Sequence, residues 1–303
     1  MDLSKVRRYS IQKRPSKVHS EEAAHLPDPA KPLSAFFDTL PDTLKAKDMK
    51  ALIHALRTAK KNGKGIILGM GAHVIKCGLN PIVIDLMERG FISHMVVNGA
   101  CAVHDFELAY AGATSEDVGA ALEDGTFGMA EETGKMVNGA LVNAQDGFGS
   151  AIGKMLADGE FPHRDRSLFY NAYKRKIGVS VAVAIGTDIV HQHPEARGED
   201  IGRASYADFL KLADAIPSLH GGGVFLTFGS AVIIPEVFLK ALTIARNVKG
   251  PVTDFTTAVF DMNVHYRPSM NIVSRPTAKS GAGYYFVGHH EIMLPLLYAG
   301  LVG

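Results

Sequence analysis

Residues 65–105 read GIILGMGAHVIKCGLNPIVIDLMERGFISHMVVNGACAVHD, and their pattern is that of one βαβ unit. Gly65–Leu68 is a short apolar run, suited to a buried parallel strand. Gly69 and Gly71 allow a sharp turn after it. From His73 to Glu88 the apolar residues Val74, Ile75, Leu79, Ile82, Val83 and Leu86 recur at helical spacing, which predicts a helix packed on a sheet. Pro81 predicts a break and a fresh start within it. Gly90 ends the helix, and Met95–Val97 is the second strand.

Ligands of open α/β sheets sit beyond the carboxyl ends of the strands. That rule brings Gly69–His73 and Asn98–Asp105 onto one rim. Small residues there allow a ligand close to the backbone, and a helix start offers free N–H groups with a positive dipole end. The dinucleotide fingerprint is incomplete, because no third glycine follows on schedule.

The same alternation continues outward. Val179–Ala184, Val224–Thr227, Phe255–Phe260 and Tyr284–Val287 read as further strands. Helical patterns cover the stretch from Pro41 to Lys61, residues 106–157 in pieces, Ser167–Arg175, Tyr206–Ala215, Pro235–Ala245 and Glu291–Leu301. Strands alternating with helices predict an α/β fold, a Rossmann-like, mainly parallel sheet with helices on both faces. Residues 1–32 are basic and then rich in proline and alanine, and read as an N-terminal arm; 33–303 read as a single α/β nucleotide-binding domain. A formal charge of +1 gives no reason to expect nucleic acid or a membrane surface as partner. Two cysteines, Cys77 and Cys101, are too few for a disulfide framework, which fits a reducing, cytoplasmic setting. The basic start has no apolar core and is not a secretory signal.

Several groups could carry chemistry. Asp261 and His265 belong to a polar cluster with Asn263, Tyr266 and Arg267, directly after a buried strand, a composition able to fix a charged ligand. His104 and Asp105 open a helix on the rim; neighbours on a helix point about 100° apart, so His104 facing a ligand is a better reading than a dyad. His289-His290-Glu291 begin the last helix on the same rim. His191 and His193 could reach a metal with Asp188 as a third ligand, but Pro194 follows at once and a polar rim loop is the better reading. No metal-ligand set is therefore assigned. The glycine-rich GFGSAIG at 147–153 has no strand before it and reads as an ordinary helix rather than a phosphate loop.

The order of these pieces resembles the deoxyhypusine synthase family, from Gly65 to the C-terminus. ILGMGAHVIKCGLNPIVIDLMERG is similar to that family's first strand and helix. HMVVNGACAVHDFELA is similar to its "TTAG…D" strand and turn, and SLFYNAYKRKIGVSVAVAIGTD to the segment leading to its "DGS" turn. LHGGGV is similar to its triple-glycine turn, and GYYFVGHHEIMLPLLYAGL to its closing strand and helix. The resemblance implies a homotetramer with NAD bound in a cleft at a subunit interface. It implies that Ala72 and His73, next to Gly71, meet NAD, and that Asn98, Gly99 and Ala100 lie under the dinucleotide. Asp105, with His104, would reach the ribose, Gly222 and Gly223 would border the nicotinamide, and His289 would lie near the adenosine. Asp188 would stand for the carboxylate of the "DGS" turn.

The chain departs from the family where the chemistry lies. The family's reactive lysine closes the motif "RPDEAVSWGK"; here RPSMNIVSRPT, with Arg267-Pro268 and Arg275-Pro276, occupies that place. An arginine stays protonated and forms no imine. Lys279 is the lysine nearest by. The expectation is a deoxyhypusine-synthase-like protein that binds NAD and acts by hydride transfer on a small substrate, an amine among the candidates, rather than a true deoxyhypusine synthase. The catalytic candidates are His104, Asp188, Asp261, His265 and Lys279. The alternatives are a non-catalytic nucleotide-binding or assembly protein, and a histidine-based, metal-dependent hydrolase or lyase.

Overall fold

A computed structural model describes residues 22–28 and 30–302. Its centre is a sheet of β1 (Ile66–Met70), β2 (His94–Asn98), β3 (Gly178–Ala182), β4 (Val224–Phe228), β5 (Thr256–Asp261) and β6 (Ala282–Val287), in the spatial order β3-β2-β1-β4-β5-β6. Every neighbouring pair is parallel. That is the doubly wound order of dinucleotide-binding folds, in which the winding reverses between β1 and β4. The expected Rossmann-like α/β fold is therefore what the chain adopts.

The strands form because their side chains can be buried on both faces. Along β1, Ile66, Leu68 and Met70 point into one core, and Ile67 points into the other; Val224, Leu226 and Phe228 oppose Phe225 in the same way on β4. This period of two is what an extended chain imposes. At the carboxyl end of the first face, Phe228, Phe260 and Phe286 stack across adjacent strands, with ring centroids 4.4 and 4.8 Å apart.

The helices that concern the rim are α1 (Leu44–Lys61), α2 (His73–Lys76), α3 (Asn80–Glu88), α4 (Gly99–Ala111), α5 (Val118–Asp124), α6 (Glu131–Leu141), α7 (Gly147–Asp158), α8 (Leu168–Lys174), α9 (Gly198–Ala215), α10 (Ile233–Lys249) and α11 (His290–Val302). Helices α1, α4, α7 and α11 cover the first face, while α10 and the end of α9 cover the second. The helical pattern of 73–88 does break, with Gly78 at φ +73° and Pro81 in the first turn of α3. Between β2 and β3 runs a helical insertion, α4 to α8.

One detail of the turn chemistry differs from expectation, and another agrees with it. Gly69 is not in the turn but inside β1, opposite Val96 and Thr227. A Cβ there would lie 2.9 Å from the methyl groups of Ile234 and Thr227, so this glycine serves close packing of α10 on the sheet. In 147–153, Gly149 and Gly153 let α7 approach Val179 of β3 and Phe169–Tyr173 of α8, so these glycines are packing residues of a helix.

Most of the arm assigned to 1–32 lies outside the described residues. Of the remainder, His25 donates its amide to Thr39 O, and Glu22 O accepts from Asp42 N. Among the described residues no helix is long and apolar enough to cross a membrane.

Candidate active site on the carboxyl rim

In a parallel sheet every strand delivers its following loop to one edge. The residues after β1, β2, β3, β5 and β6 therefore share a rim: Gly71-Ala72-His73, Gly99-Ala100, Asp188, His265 and His289. Asn98 and Asp261 end their strands there. From β2 to β5 is three strand spacings, about 14 Å.

On the β1–β2–β3 side of this rim opens a cavity of about 560 Å³, lined among others by Lys76, Ala100, His104, Glu107, Thr114 and Asp188. His104 sits one turn into α4, and Glu107 follows three residues later on the same face. Thr114 joins them: its hydroxyl is 2.6 Å from His104 Nδ1 and donates to Glu107 Oε2 at 2.5 Å. The hydroxyl has one proton, and the carboxylate can only accept. Nδ1 of His104 must then be the N–H donor to Thr114, which leaves Nε2 with a free lone pair. Thr133 Oγ1 donates to the other oxygen of Glu107 at 3.2 Å and fixes it. Burial lowers the His104 pKa, opposed by Glu107 and aided by Lys76, so the ring is neutral at neutral pH. A neutral imidazole held in one tautomer by a hydroxyl and a carboxylate is equipped to accept a proton.

Asp188 faces the same cavity from the β3 loop. Its carboxylate accepts from the Ala100 amide at the start of α4, and burial pushes its pKa from the ordinary 3.8 up to about 6. A Cβ on Gly99 would collide with that carboxylate; the glycine is what lets Asp188 reach the helix end. One amide of the α4 start, that of Ala100, is thus already served by an internal carboxylate. His191 does not join Asp188 at a metal. Its Nδ1 accepts from the amides of Gly186 and Asp188, at 3.1 and 3.3 Å, and closes the turn. His193 is buried elsewhere, 2.7 Å from Gly128 O and against Gly134 of α6.

Between β1 and β4 lies the switch point. Gly71 leaves β1 with its amide on Phe228 O, and a Cβ there would meet nothing closer than Ser230 N at 3.5 Å. Opposite, Gly229 and Ser230 both take positive φ, +74° and +67°, and Ser230 Oγ accepts from Ile234 N at the start of α10. A helix of 17 residues therefore starts at the rim beside Gly71. Ser230 was not among the sequence candidates, although a Gly-Ser pair directly after an apolar strand was a readable signal.

Further along, Asp261 Oδ1 accepts from the Asn263 amide at 3.1 Å and stands 3.6 Å from His265 Nε2. Tyr285 holds this turn by accepting from His265 N and donating to Asn263 O. Asp261 and His265 thus meet each other but not the His104 cavity. His289 is exposed, its Nδ1 3.9 Å from Glu291 Oε1.

Four expected site residues are not at this rim surface. Gly222 and Gly223 precede β4 and so lie on the amino edge, where Gly223 N donates to Leu219 O. Lys279 precedes β6 and is exposed on that same amino edge, away from the rim. Asp105 is fully buried. Its carboxylate accepts from Ser167 Oγ, from the amides of Leu168 and Phe169 at 2.7 and 3.1 Å, and from Asn80 Nδ2 at 3.2 Å. It caps α8 and ties it to α3, and cannot reach a ribose. Burial raises its pKa to about 6 against those four donors.

No protein-family model and no curated protein matches the chain. Solved structures do match in fold. ArgZ, an arginine dihydrolase from the ornithine-ammonia cycle in cyanobacteria, superposes with a TM-score of 0.52 and 16% identity over 87% of this chain and 33% of its own. AgrE, solved as a ternary complex with ornithine and NAD+, gives 0.52 and 15% over 84% of this chain and 32% of its own. A conserved putative LOR/SDH protein from Methanococcus maripaludis S2 gives 0.50 and 18% over 90% and 71%. The chain spans about a third of the length of the first two. At these identities the likeness is one of fold.

Proposed function

We propose that this chain is an NAD-binding enzyme that oxidises or reduces a small substrate held in the His104 cavity. The observation that carries the reading is the reversal of winding between β1 and β4, where Gly71-Ala72 and Gly229-Ser230 follow the two strands beside the start of α10. That is where doubly wound folds take dinucleotides. The fold neighbour solved with ornithine and NAD+ supports the choice of cofactor.

NAD+ supplies a hydride acceptor when bound. The chain's own residues do the rest. His104 Nε2 takes the proton from the substrate's N–H or O–H while Thr114 and Glu107 hold the ring. Asp188, Glu107 and Glu132 line the cavity as acids, which suits a substrate bearing an ammonium group. Amino acids of the ornithine kind fit that description, and so do polyamines. A transfer step of the deoxyhypusine synthase kind needs a lysine among the reacting groups, and Lys279 stands on the other edge. A homo-oligomer, expected from the same resemblance, would cover Val264, Tyr266, Val287 and Ile292, which are 58–69% exposed; sedimentation velocity tests it.

The reading is tested with the purified protein, by NAD+ titration in a calorimeter and a thermal shift at saturating nucleotide. Saturable binding that is lost in Gly71→Val, with the variant still folded, is the expected result. No heat and no shift would remove the proposal. With NAD+ bound, turnover of ornithine-like amines is read as NADH absorbance, and His104→Gln is expected to lower kcat by about a hundredfold or more.

A further inference from the structure

A second group of side chains meets beside the switch point, and the hydride-transfer reading leaves it unused. His73 opens α2 and Cys77 caps its end, four positions later. A separation of four puts both side chains on one face of the turn. Glu291 comes from the first turn of α11, which packs against α2. One donor atom from each of the three, imidazole nitrogen, Sγ and carboxylate oxygen, lies within 4.8 Å of the other two. Cys77 Sγ is already 3.7 Å from Glu291 Oε2.

In a tetrahedral zinc site with bonds of roughly 2.0–2.3 Å, ligand atoms are about 3.3–3.8 Å apart. The three atoms would have to close by about 1.5 Å at most, which side-chain rotation supplies. His73 and Glu291 are exposed and Cys77 is half-buried, so an ion has a way in. Thiolate with imidazole selects zinc-like ions over magnesium or calcium. Next to the trio, His290 is buried with its ring edge-on to that of His73, 5.7 Å between centroids. Its Nε2 reaches Phe260 O at 3.3 Å, while Nδ1 has no hydrogen-bond partner among the described residues. A buried ring nitrogen without a partner is costly and marks this corner as polar beyond the needs of packing.

We propose that His73, Cys77 and Glu291 bind one thiophilic divalent cation of the zinc type, with its fourth position open to the rim. Three protein ligands and an open position is the arrangement of metal sites that take a water or a ligand oxygen, as opposed to closed structural sites. His73 is then a metal ligand and not a nucleotide contact. The site stands or falls without NAD, because it is tested in the absence of nucleotide.

The experiment is a titration of the chelator-treated, full-length protein with Co2+ under reducing conditions. The expected result is a thiolate-to-cobalt charge-transfer band in the near ultraviolet, saturating at about one Co2+ per chain and displaced by Zn2+. Cys77→Ser abolishes the band, Cys101→Ser keeps it, and Glu291→Gln weakens the affinity by about tenfold or more. Circular dichroism confirms that each variant is folded; if Cys77→Ser is not, the Glu291→Gln arm and a His73→Ala arm carry the decision. Absence of the band, its survival in folded Cys77→Ser, or unchanged affinity in both Glu291→Gln and His73→Ala would overturn the assignment.

Discussion

Replacing Asp188 with asparagine separates the cost of a buried carboxylate from its geometry. The amide side chain keeps an oxygen for the Ala100 N–H and has nearly the same volume, but it cannot ionise. In the native protein, burial lifts the Asp188 pKa from 3.8 to about 6. A raised carboxyl pKa means that folding favours the protonated form. The stabilisation it brings is complete below pH 3.8 and is lost as pH rises through 6. At 1.36 kcal/mol per pKa unit the whole effect is about 3 kcal/mol. Between pH 5 and pH 8 roughly 1.4 kcal/mol of that is lost, the remainder being lost below pH 5. The Asp188→Asn variant should therefore gain stability relative to the native protein by about 1.4 kcal/mol on going from pH 5 to pH 8. Urea denaturation of both proteins at the two pH values measures this, and the double difference cancels the other titrating groups. A difference that does not change with pH would refute the burial argument; one that changes in the opposite sense would mean that the carboxylate is stabilised where it stands, as a structural helix cap.

Further expectations follow from the same contacts. Gly99→Ala drives a Cβ into the Asp188 carboxylate; the overpacking outweighs the gain in helix propensity, for a net loss of about 1–3 kcal/mol in urea denaturation. Asp105→Ala leaves two backbone amides, the Ser167 hydroxyl and the Asn80 amide facing a cavity, and should cost about 3–5 kcal/mol, read as the same midpoint shift or as loss of soluble protein. Lys279→Ala should leave stability, NAD affinity and any turnover within error of the native protein, since its side chain is exposed on the amino edge; loss of turnover would restore it as the reactive lysine.

The central strands were legible because a strand buried on both faces has to be a short apolar run, and β1, β2 and β4 are fully or almost fully buried. The rim was legible in part. Rim or opposite edge depends on whether a residue follows or precedes its strand, and that rule was available for Gly222, Gly223 and Lys279. Each stands just before a strand, and motif likeness overrode the parity. His104 and Asp105 were separable by the 100° turn between helix neighbours: one faces the cavity, the other the core. Glu107 was readable as the next residue on the His104 face. Thr114 and Thr133 were not, because they reach that face from a loop and a helix that only the tertiary fold brings near. The pairing of His73 and Cys77 with Glu291 is likewise invisible along the chain, since more than two hundred residues separate them.

The central claim is that the switch point at the carboxyl ends of β1 and β4 takes NAD. The most direct measurement is isothermal titration of NAD+ into the purified native protein and into Gly71→Val. The account predicts saturable binding at about one nucleotide per chain in the former and none in the folded variant. Equal affinity in both proteins, or no binding to the native one, would contradict it.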